Sequence, residues 1–192
     1  MDLSFRKPNK ADLEIYNRIY NSYRFYPEKQ NDKLHVEQLS ETGFLVGDPV
    51  SDDNWKKAIY TECALIGGKV AGLIRVEKFS SEMCSEHFKL EWLGTYRQWK
   101  CFTKESELEL GVIIVDSKFK GKSVAKILLE RLFKFMRKNK NKYLYSWVVT
   151  NPENKPSISF HKKMGFREIA VYSADESFGI KNYQSKLFLK EL

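Results

Sequence analysis

A short basic loop, residues 116–122, and the helix start that follows it are the part of this chain best suited to chemistry. The loop follows Glu107–Val115, where Leu108, Leu110, Val112 and Ile114 alternate and the second half is apolar on both faces, as in a strand covered on both sides. After the loop, apolar residues recur at helical spacing as far as Met136. Backbone N–H groups at a helix start are unpaired and carry partial positive charge. The pattern therefore predicts an anion site, such as one for phosphate.

One candidate for this site is a P-loop. Gly121-Lys122-Ser123 matches the end of the pattern G-x-x-x-x-G-K-[ST], which requires a glycine where this chain has Asp116. Only about 70 residues follow, which leaves little room for the other strands of a nucleotide-hydrolysing domain. These two features argue against a P-loop.

A second pattern fits the loop better. Residues 120–125, Lys-Gly-Lys-Ser-Val-Ala, resemble the Q/R-x-x-G-x-G/A loop of the GNAT superfamily of acyl-CoA-dependent N-acetyltransferases. Lys120 stands where the pattern has Gln or Arg. It keeps a charged hydrogen-bond donor but lacks the planar, two-pronged guanidinium of arginine. Ser123 replaces the first glycine, where its hydroxyl could donate to a phosphate or cap the helix.

A second signature lies about 30 residues further on. Residues 154–166 resemble the superfamily pattern N-x-x-A/S-x-x-F/L-Y-x-x-x-G-F, with His161 at the tyrosine position and matches at Asn154, Ser157, Phe160, Gly165 and Phe166. Two signatures at the right separation are far more specific than either alone.

The resemblance implies an α+β fold of the GNAT type, in a single domain spanning residues 1–192. We expect a mixed, twisted central sheet of about seven strands, splayed between its fourth and fifth strands, with helices on both faces. Residues 79–104 are expected to be an insertion between the third and fourth strands. Residues 21–57 are expected to form part of the wall around the acceptor substrate.

Local patterns place the other elements. The pair Gly67-Gly68 between two apolar runs predicts a hairpin of residues 58–66 and 70–77. Periodicity predicts helices over residues 10–20, 33–41 and 155–164, the first capped by Asn9 or Asp12. Residues 3–6 and 142–149 read as strands, and residues 167–173 and 184–189 as the last two strands.

By the same resemblance, the co-substrate is acetyl-CoA. Its pantetheine would contact the backbone of Ile113, Ile114 and Val115, and its phosphates would contact the loop and helix start. The remaining candidates come from both signatures: Lys120, Gly121, Lys122, Ser123, Val124, Ala125, Lys126, Asn154, Ser157 and Phe160. Asn154 could equally cap the helix that follows it.

The expected reaction is acetyl transfer to a primary amine by direct attack in a ternary complex. Glu109 aligns with a catalytic glutamate of some members, and a carboxylate beside an apolar strand could take the ammonium proton. His161 is the candidate acid, because an imidazolium could protonate the leaving thiolate. Water as the proton source stays open as the alternative.

Composition and charge are consistent with this interpretation. The chain has 192 residues, and no apolar run approaches the ~20 residues of a membrane span. Residues 118–163 hold 13 Lys/Arg against 2 Asp/Glu, while residues 1–117 hold 16 against 19. The basic part would face the cofactor phosphates, and the mildly acidic part suits a cationic amine. Three scattered cysteines and three scattered histidines indicate no metal site and favour a cytoplasmic protein without membrane contact.

Two alternatives remain from the sequence. One is a non-catalytic module of the same fold that binds acyl-CoA or nucleic acid; no recognised nucleic-acid motif supports the latter. The other is an acetyltransferase acting on a macromolecular amine, such as a protein N-terminus or aminoacyl-tRNA. The chain would act as a monomer or a homodimer, and the acceptor is a small-molecule or peptide amine.

Overall fold

The computed structural model of the chain describes residues 2–49, 55–80, 90–94 and 107–192, which contribute to one eight-stranded sheet. Its strand order is β1-β2-β3-β5-β6-β8-β7-β4. The strands are β1 Leu3–Arg6, β2 Tyr60–Ile66, β3 Lys69–Lys78, β4 Glu91–Trp92, β5 Glu107–Val115, β6 Tyr143–Asn151, β7 Arg167–Ser177 and β8 Ile180–Glu191. The helices are α1 Lys10–Tyr23, α2 Lys33–Thr42, α3 Val124–Lys138 and α4 Lys155–Lys163. The α+β fold is confirmed, with one strand more than the seven or so expected.

The sheet is splayed at its centre, as predicted. Strands β5 and β6 are parallel and pair only at residues 107–109 with residues 143–145. All other neighbouring strands pair antiparallel. From Leu110 onwards β5 has no partner strand on its β6 side among the described residues. The two strands therefore leave a cleft in which backbone groups of β5 are accessible.

Helices cover both faces of the sheet. On one face, α3 buries Leu128, Leu129 and Leu132 completely, against a cluster that includes Ile74 and Leu108. On the other face, α1 packs its buried aromatic and aliphatic side chains against β3 and β5. This double coverage explains why the second half of β5 is apolar on both sides.

A bulge at Gly111 interrupts β5. Val76 of β3 lies opposite Leu110, and the next residue, Arg75, lies opposite Val112, so Gly111 is left out of the pairing. The extra residue reverses the alternation of β5. Leu110 therefore packs in the α3 cluster, while Val112 packs in the α1 cluster. The uninterrupted alternation read from the sequence is wrong at this point, because a bulge depends on the partner strand.

Local sequence signals predict several element ends correctly. Gly67 and Gly68 both have positive φ, 55° and 74°, as a two-residue hairpin turn requires. The Asn9 side chain accepts from the Asp12 N–H, and the Asp12 side chain accepts from the Asn9 N–H. The two candidate caps therefore form one capping box at the start of α1. The last two strands are longer than predicted and are joined at Phe178 and Gly179, which also have positive φ.

Most of the expected insertion, residues 81–89 and 95–104, lies outside the described residues. Its described part includes β4, which pairs with β7 at the far edge of the sheet. Phe79, at the start of the segment, stacks on Tyr145 of β6 with ring centroids 4.1 Å apart. The segment therefore leaves β3 on one half of the sheet and contributes a strand to the other half.

Candidate active site

The loop before α3 has the backbone conformation of a glycine-rich loop although only Gly121 is a glycine. Gly121 has φ 81°, and Ser123 has φ 58° and ψ 17°, in the left-handed region. Ser123 occupies the N-cap position of α3, but its side chain makes no capping hydrogen bond. The N–H groups of the first helical turn have no partners within the helix, and that turn carries no acidic side chain. Unpaired N–H groups at a helix start favour a bound anion, as the sequence predicted for this position.

A cavity of about 660 Å³ lies against this helix start and the free edge of β5. The structure brings most of the predicted cofactor residues together around it. Those that line the cavity are Ile113, Ile114, Val115, Lys120, Gly121, Ser123, Val124, Ala125, Lys126, Asn154, Ser157 and Phe160. Lys122 is the exception: its side chain is exposed, and its Nζ lies 5.6 Å from the centroid of the Phe119 ring.

The opposite wall of this first cavity was not predicted as part of the cofactor site. It consists of Tyr23 and residues 42–45, which belong to the region expected to face the acceptor. The Tyr23 hydroxyl donates to the backbone oxygen of Val115 at 3.1 Å. No local motif marks this wall, because it is brought to β5 only by the packing of α1 and α2.

Asn154 joins the two walls. Its side-chain oxygen accepts from the N–H of Ser157 at 3.3 Å, and its amide nitrogen donates to the backbone oxygen of Phe44 at 2.8 Å. The residue is buried. The predicted capping role is therefore present, and the amide also fixes residues 43–45 beside the helix. A direct contact with pantetheine stays a prediction.

A second cavity, of about 500 Å³, lies on the α1 side of the sheet and contains Glu109. It shares Phe44, Leu45, Asn154 and Ser157 with the first cavity, so the two cavities are adjacent at these four residues. Burial and the nearby charge of Glu77 raise the pKa of Glu109 to about 7, against an opposing effect of Arg75. A partly buried carboxyl with this pKa suits a general base near neutral pH.

His161 has a different environment from the one its predicted role requires. It lines the first cavity but is only 3% exposed. Nδ1 lies 2.7 Å from the backbone oxygen of Ser157 and Nε2 lies 2.9 Å from Ser146 Oγ. The contact with the carbonyl places the proton on Nδ1, so Nε2 accepts from the serine. Burial lowers the pKa of His161 to about 4.

These contacts correct the expectation that His161 acts as an imidazolium near neutral pH. The ring is neutral in this environment, and both nitrogens have protein partners. It also contacts the rings of Phe166 and Phe188, with centroids 5.0 and 5.3 Å away. The position was predicted from a motif, whereas the protonation state depends on burial, which the motif does not encode.

Arg75 lines the second cavity, although the sequence analysis did not single it out. It is buried in the middle of β3. The available signal was a single arginine inside the otherwise apolar run of residues 70–76, since buried arginine is rare unless it has a partner. Among the described residues, no group of three or more His, Cys, Asp or Glu could hold a metal ion. None of the described helices has the length and apolar character needed to cross a bilayer.

Solved structures define the class of fold. The structure of yncA from Salmonella typhimurium with its cofactor acetyl-CoA matches with a TM-score of 0.64 and 19% identity, over 100% of this chain and 95% of that one. NAA60 of Arabidopsis thaliana in complex with a bisubstrate analogue matches with a TM-score of 0.65 and 16% identity, over 98% and 97%. The ribosomal-protein-alanine N-acetyltransferase from Brucella melitensis gives 0.59 and 21%, over 98% and 99%. The fold is that of an acetyltransferase.

The sequence gives the same result independently. A model of the acetyltransferase (GNAT) family matches residues 16–166. The chain belongs to the GNAT family of acetyltransferases. This confirms the family inferred from the two signatures and excludes the P-loop. No curated protein sequence matches the chain.

Proposed function

We propose that the protein transfers the acetyl group of acetyl-CoA to a primary amine by direct attack in a ternary complex. The observation that carries this proposal is the junction of the two cavities at Phe44, Leu45, Asn154 and Ser157. One cavity has a phosphate-binding helix start, and the other has a base. Two substrates bound from the two sides would meet where β5 and β6 diverge.

The residues around the first cavity fit acetyl-CoA. The helix start and Lys120 would hold its phosphates, through N–H groups and a cation. The edge of β5 that faces β6, at Ile113 and Val115, would form hydrogen bonds with the pantetheine amides, and the Val115 oxygen also accepts from the Tyr23 hydroxyl. When bound, acetyl-CoA supplies an acyl thioester activated for attack by an amine.

Glu109 is proposed as the general base. A primary amine arrives as an ammonium ion and must lose a proton before its nitrogen can attack. Glu109 takes this proton, directly or through one water molecule. The amine nitrogen then forms the new N–C bond as the C–S bond breaks, and it loses its second proton to solvent to give the neutral amide. The leaving thiolate takes its proton from water, since a neutral His161 with both nitrogens engaged is not a suitable acid.

The test is an assay of thiol release from acetyl-CoA with a panel of amines, followed by mass spectrometry of the product. The panel includes peptides with free N-termini, because one similar structure is a ribosomal-protein-alanine N-acetyltransferase. We expect a product heavier by one acetyl group with at least one acceptor, and a large loss of turnover in Glu109→Gln. Saturable acetyl-CoA binding without turnover on any amine would instead support a non-catalytic binding module.

A further inference from the structure

Arg75 is a buried cation with few partners. The residue is 7% exposed and lies on the α1 side of β3, opposite Val112. Its Nη2 donates to Glu77 Oε1 at 3.2 Å. Its Nε is buried and has no hydrogen-bond partner in the part of the chain that the structure describes. A guanidinium has five N–H donors, and burying them without acceptors costs free energy.

Gly111 allows this guanidinium to lie beside the second cavity. A Cβ atom at position 111 would stand 3.0 Å from Arg75 Nη2 and 2.6 Å from Glu77 Oε1. Both side chains therefore lie across the bulged part of β5, where any larger residue would displace them. Arg75, Gly111 and Glu109 line the same cavity. The under-bonded cation and the proposed base thus lie in one substrate-sized space.

We propose that Arg75 binds a carboxylate of the acceptor, and that the acceptor is therefore an amino acid with a free carboxyl group. This inference rests on the proposed function, because it concerns the same cavity. A planar guanidinium binds a carboxylate through two parallel N–H···O bonds. The carboxylate end of the acceptor would meet Arg75, and its ammonium end would meet Glu109.

The walls of the cavity indicate the rest of the acceptor. Besides polar and aliphatic residues they include several aromatic side chains, among them Tyr16, Tyr20, Trp147, Tyr172, Phe178 and Tyr183. A volume of about 500 Å³ is in the range of small-molecule sites. An amino acid with an apolar or aromatic side chain would fill this space and bury its apolar surface there.

A peptide N-terminus fits this cavity less well. Its first residue carries a neutral amide where a free amino acid carries a carboxylate, so the charge of Arg75 would stay unneutralised. Buried donors left unpaired by a ligand lower its affinity. If Arg75 serves only as a partner for Glu77 and Glu109, however, the acceptor carboxylate would make no difference.

The experiment compares matched ligands on matched variants. Wild type, Arg75→Gln, Arg75→Lys and Glu77→Gln are titrated calorimetrically with each of the twenty common amino acids, in the presence of CoA. Each amino acid that binds is then compared with its amide and its decarboxylated amine, in binding and in thiol release. Acetyl-CoA affinity is measured for every variant as a test of folding and of the first cavity. Glu77→Gln is the control that removes the ion pair but keeps the guanidinium.

We expect wild type to bind at least one amino acid about 10- to 100-fold more tightly than its amide, the range for a charged hydrogen-bonded contact. Arg75→Gln should lose this preference and Arg75→Lys most of it, while Glu77→Gln keeps it and acetyl-CoA affinity is unchanged. Equal binding of acids and amides by wild type, or no binding of any amino acid, would overturn the proposal even if Arg75→Gln failed to fold. Turnover of amines without preference for a carboxylate would leave the proposed function intact. Carboxylate-dependent binding without turnover would leave Arg75 as a carboxylate site and reject acetyl transfer.

Discussion

Glu77 and Glu109 lie directly opposite each other on the antiparallel strands β3 and β5. Their proximity adds charge repulsion to the effect of burial, and together these raise the pKa of Glu109 to about 7. Glu107, two residues earlier on β5, is buried, so the carboxylates of this strand have different environments. Glu109 is the one that lines the second cavity.

The first prediction concerns the pH dependence of turnover. Because the base acts in its ionised form, kcat/KM should fall about tenfold per pH unit below a pKa of about 7. Glu109→Gln should lower kcat by about 10²- to 10⁴-fold and abolish this acid limb. A profile of kcat/KM from pH 5 to 9 measures both. If Glu109→Gln still shows the same fall of kcat/KM at low pH, that fall belongs to the titration of another group.

The second prediction concerns His161 and stability. Its pKa is lowered to about 4 in the folded protein, from 6.5 in the unfolded chain. The unfolded state therefore binds a proton that the folded state does not, so stability is lost as pH falls from about 6.5 towards 4. Between pH 7 and 5 the contribution of His161 to this loss should be about 2 kcal/mol. The raised pKa of Glu109 has the opposite effect on stability over this range, so the His161 contribution is read from the difference between wild type and a variant that keeps Glu109. Urea unfolding of wild type and the non-titrating His161→Gln measures it.

Relative to wild type, His161→Gln should become more stable by about 2 kcal/mol as the pH falls from 7 to 5, because only wild type carries the His161 contribution. His161→Phe should destabilise the protein by about 1–3 kcal/mol, since Ser146 and the Ser157 carbonyl lose their partner. Turnover of the folded fraction of His161→Phe should change little. A large fall in its kcat, with a normal melting temperature, would restore the catalytic role that the motif suggests.

The third prediction concerns Ser123, whose backbone lies in the left-handed region. Ser123→Gly should relieve the cost of a Cβ atom at φ 58°, partly offset by greater freedom of the unfolded chain. We expect a gain in stability of up to about 1 kcal/mol and equal or tighter acetyl-CoA binding. Ser123→Ala is the matched control, because it keeps the Cβ atom and loses a hydroxyl that makes no cap bond. Weaker acetyl-CoA binding by both variants would show that the hydroxyl contacts the cofactor.

The fourth prediction concerns the loop. Lys120→Glu combined with Gly121→Asp should abolish acetyl-CoA binding, because two carboxylates would repel the phosphates. Lys122→Glu changes the charge by −2, compared with −3 for the double variant, at the loop residue that does not line the cavity, and should weaken binding much less. Calorimetric titration of the three proteins with acetyl-CoA distinguishes them. Equal losses would indicate a long-range effect of charge and not contact by Lys120.

Features set by local sequence were predictable. The start of α3 after the loop, the Gly67-Gly68 hairpin and the Asn9 cap each depend on a few neighbouring residues whose conformational preferences agree with the fold. The family signatures located the residues around the first cavity for the same reason. Lys122 shows the limit of such signatures, since one residue of a matching loop turns away from the cavity.

Features set by contacts between distant segments were not predictable. The bulge at Gly111 arises from the register of β5 against β3, and it decides which side chains face the second cavity. Arg75 lines that cavity only because of this register. The neutral state of His161 follows from burial against Phe166 and Phe188, which the motif alone does not specify.

The measurement that tests the central claim most directly is thermal unfolding during titration with acetyl-CoA, with ATP as the control. A ligand that binds only the folded state stabilises it by RT ln(1 + [L]/Kd), about 2.7 kcal/mol at 100 times Kd. We predict a melting temperature that rises with acetyl-CoA concentration in wild type and not in the Lys120→Glu, Gly121→Asp variant. ATP should give a markedly smaller rise. No response of wild type to acetyl-CoA would contradict the account, because the loop and the β5 edge would then not form an acetyl-CoA site.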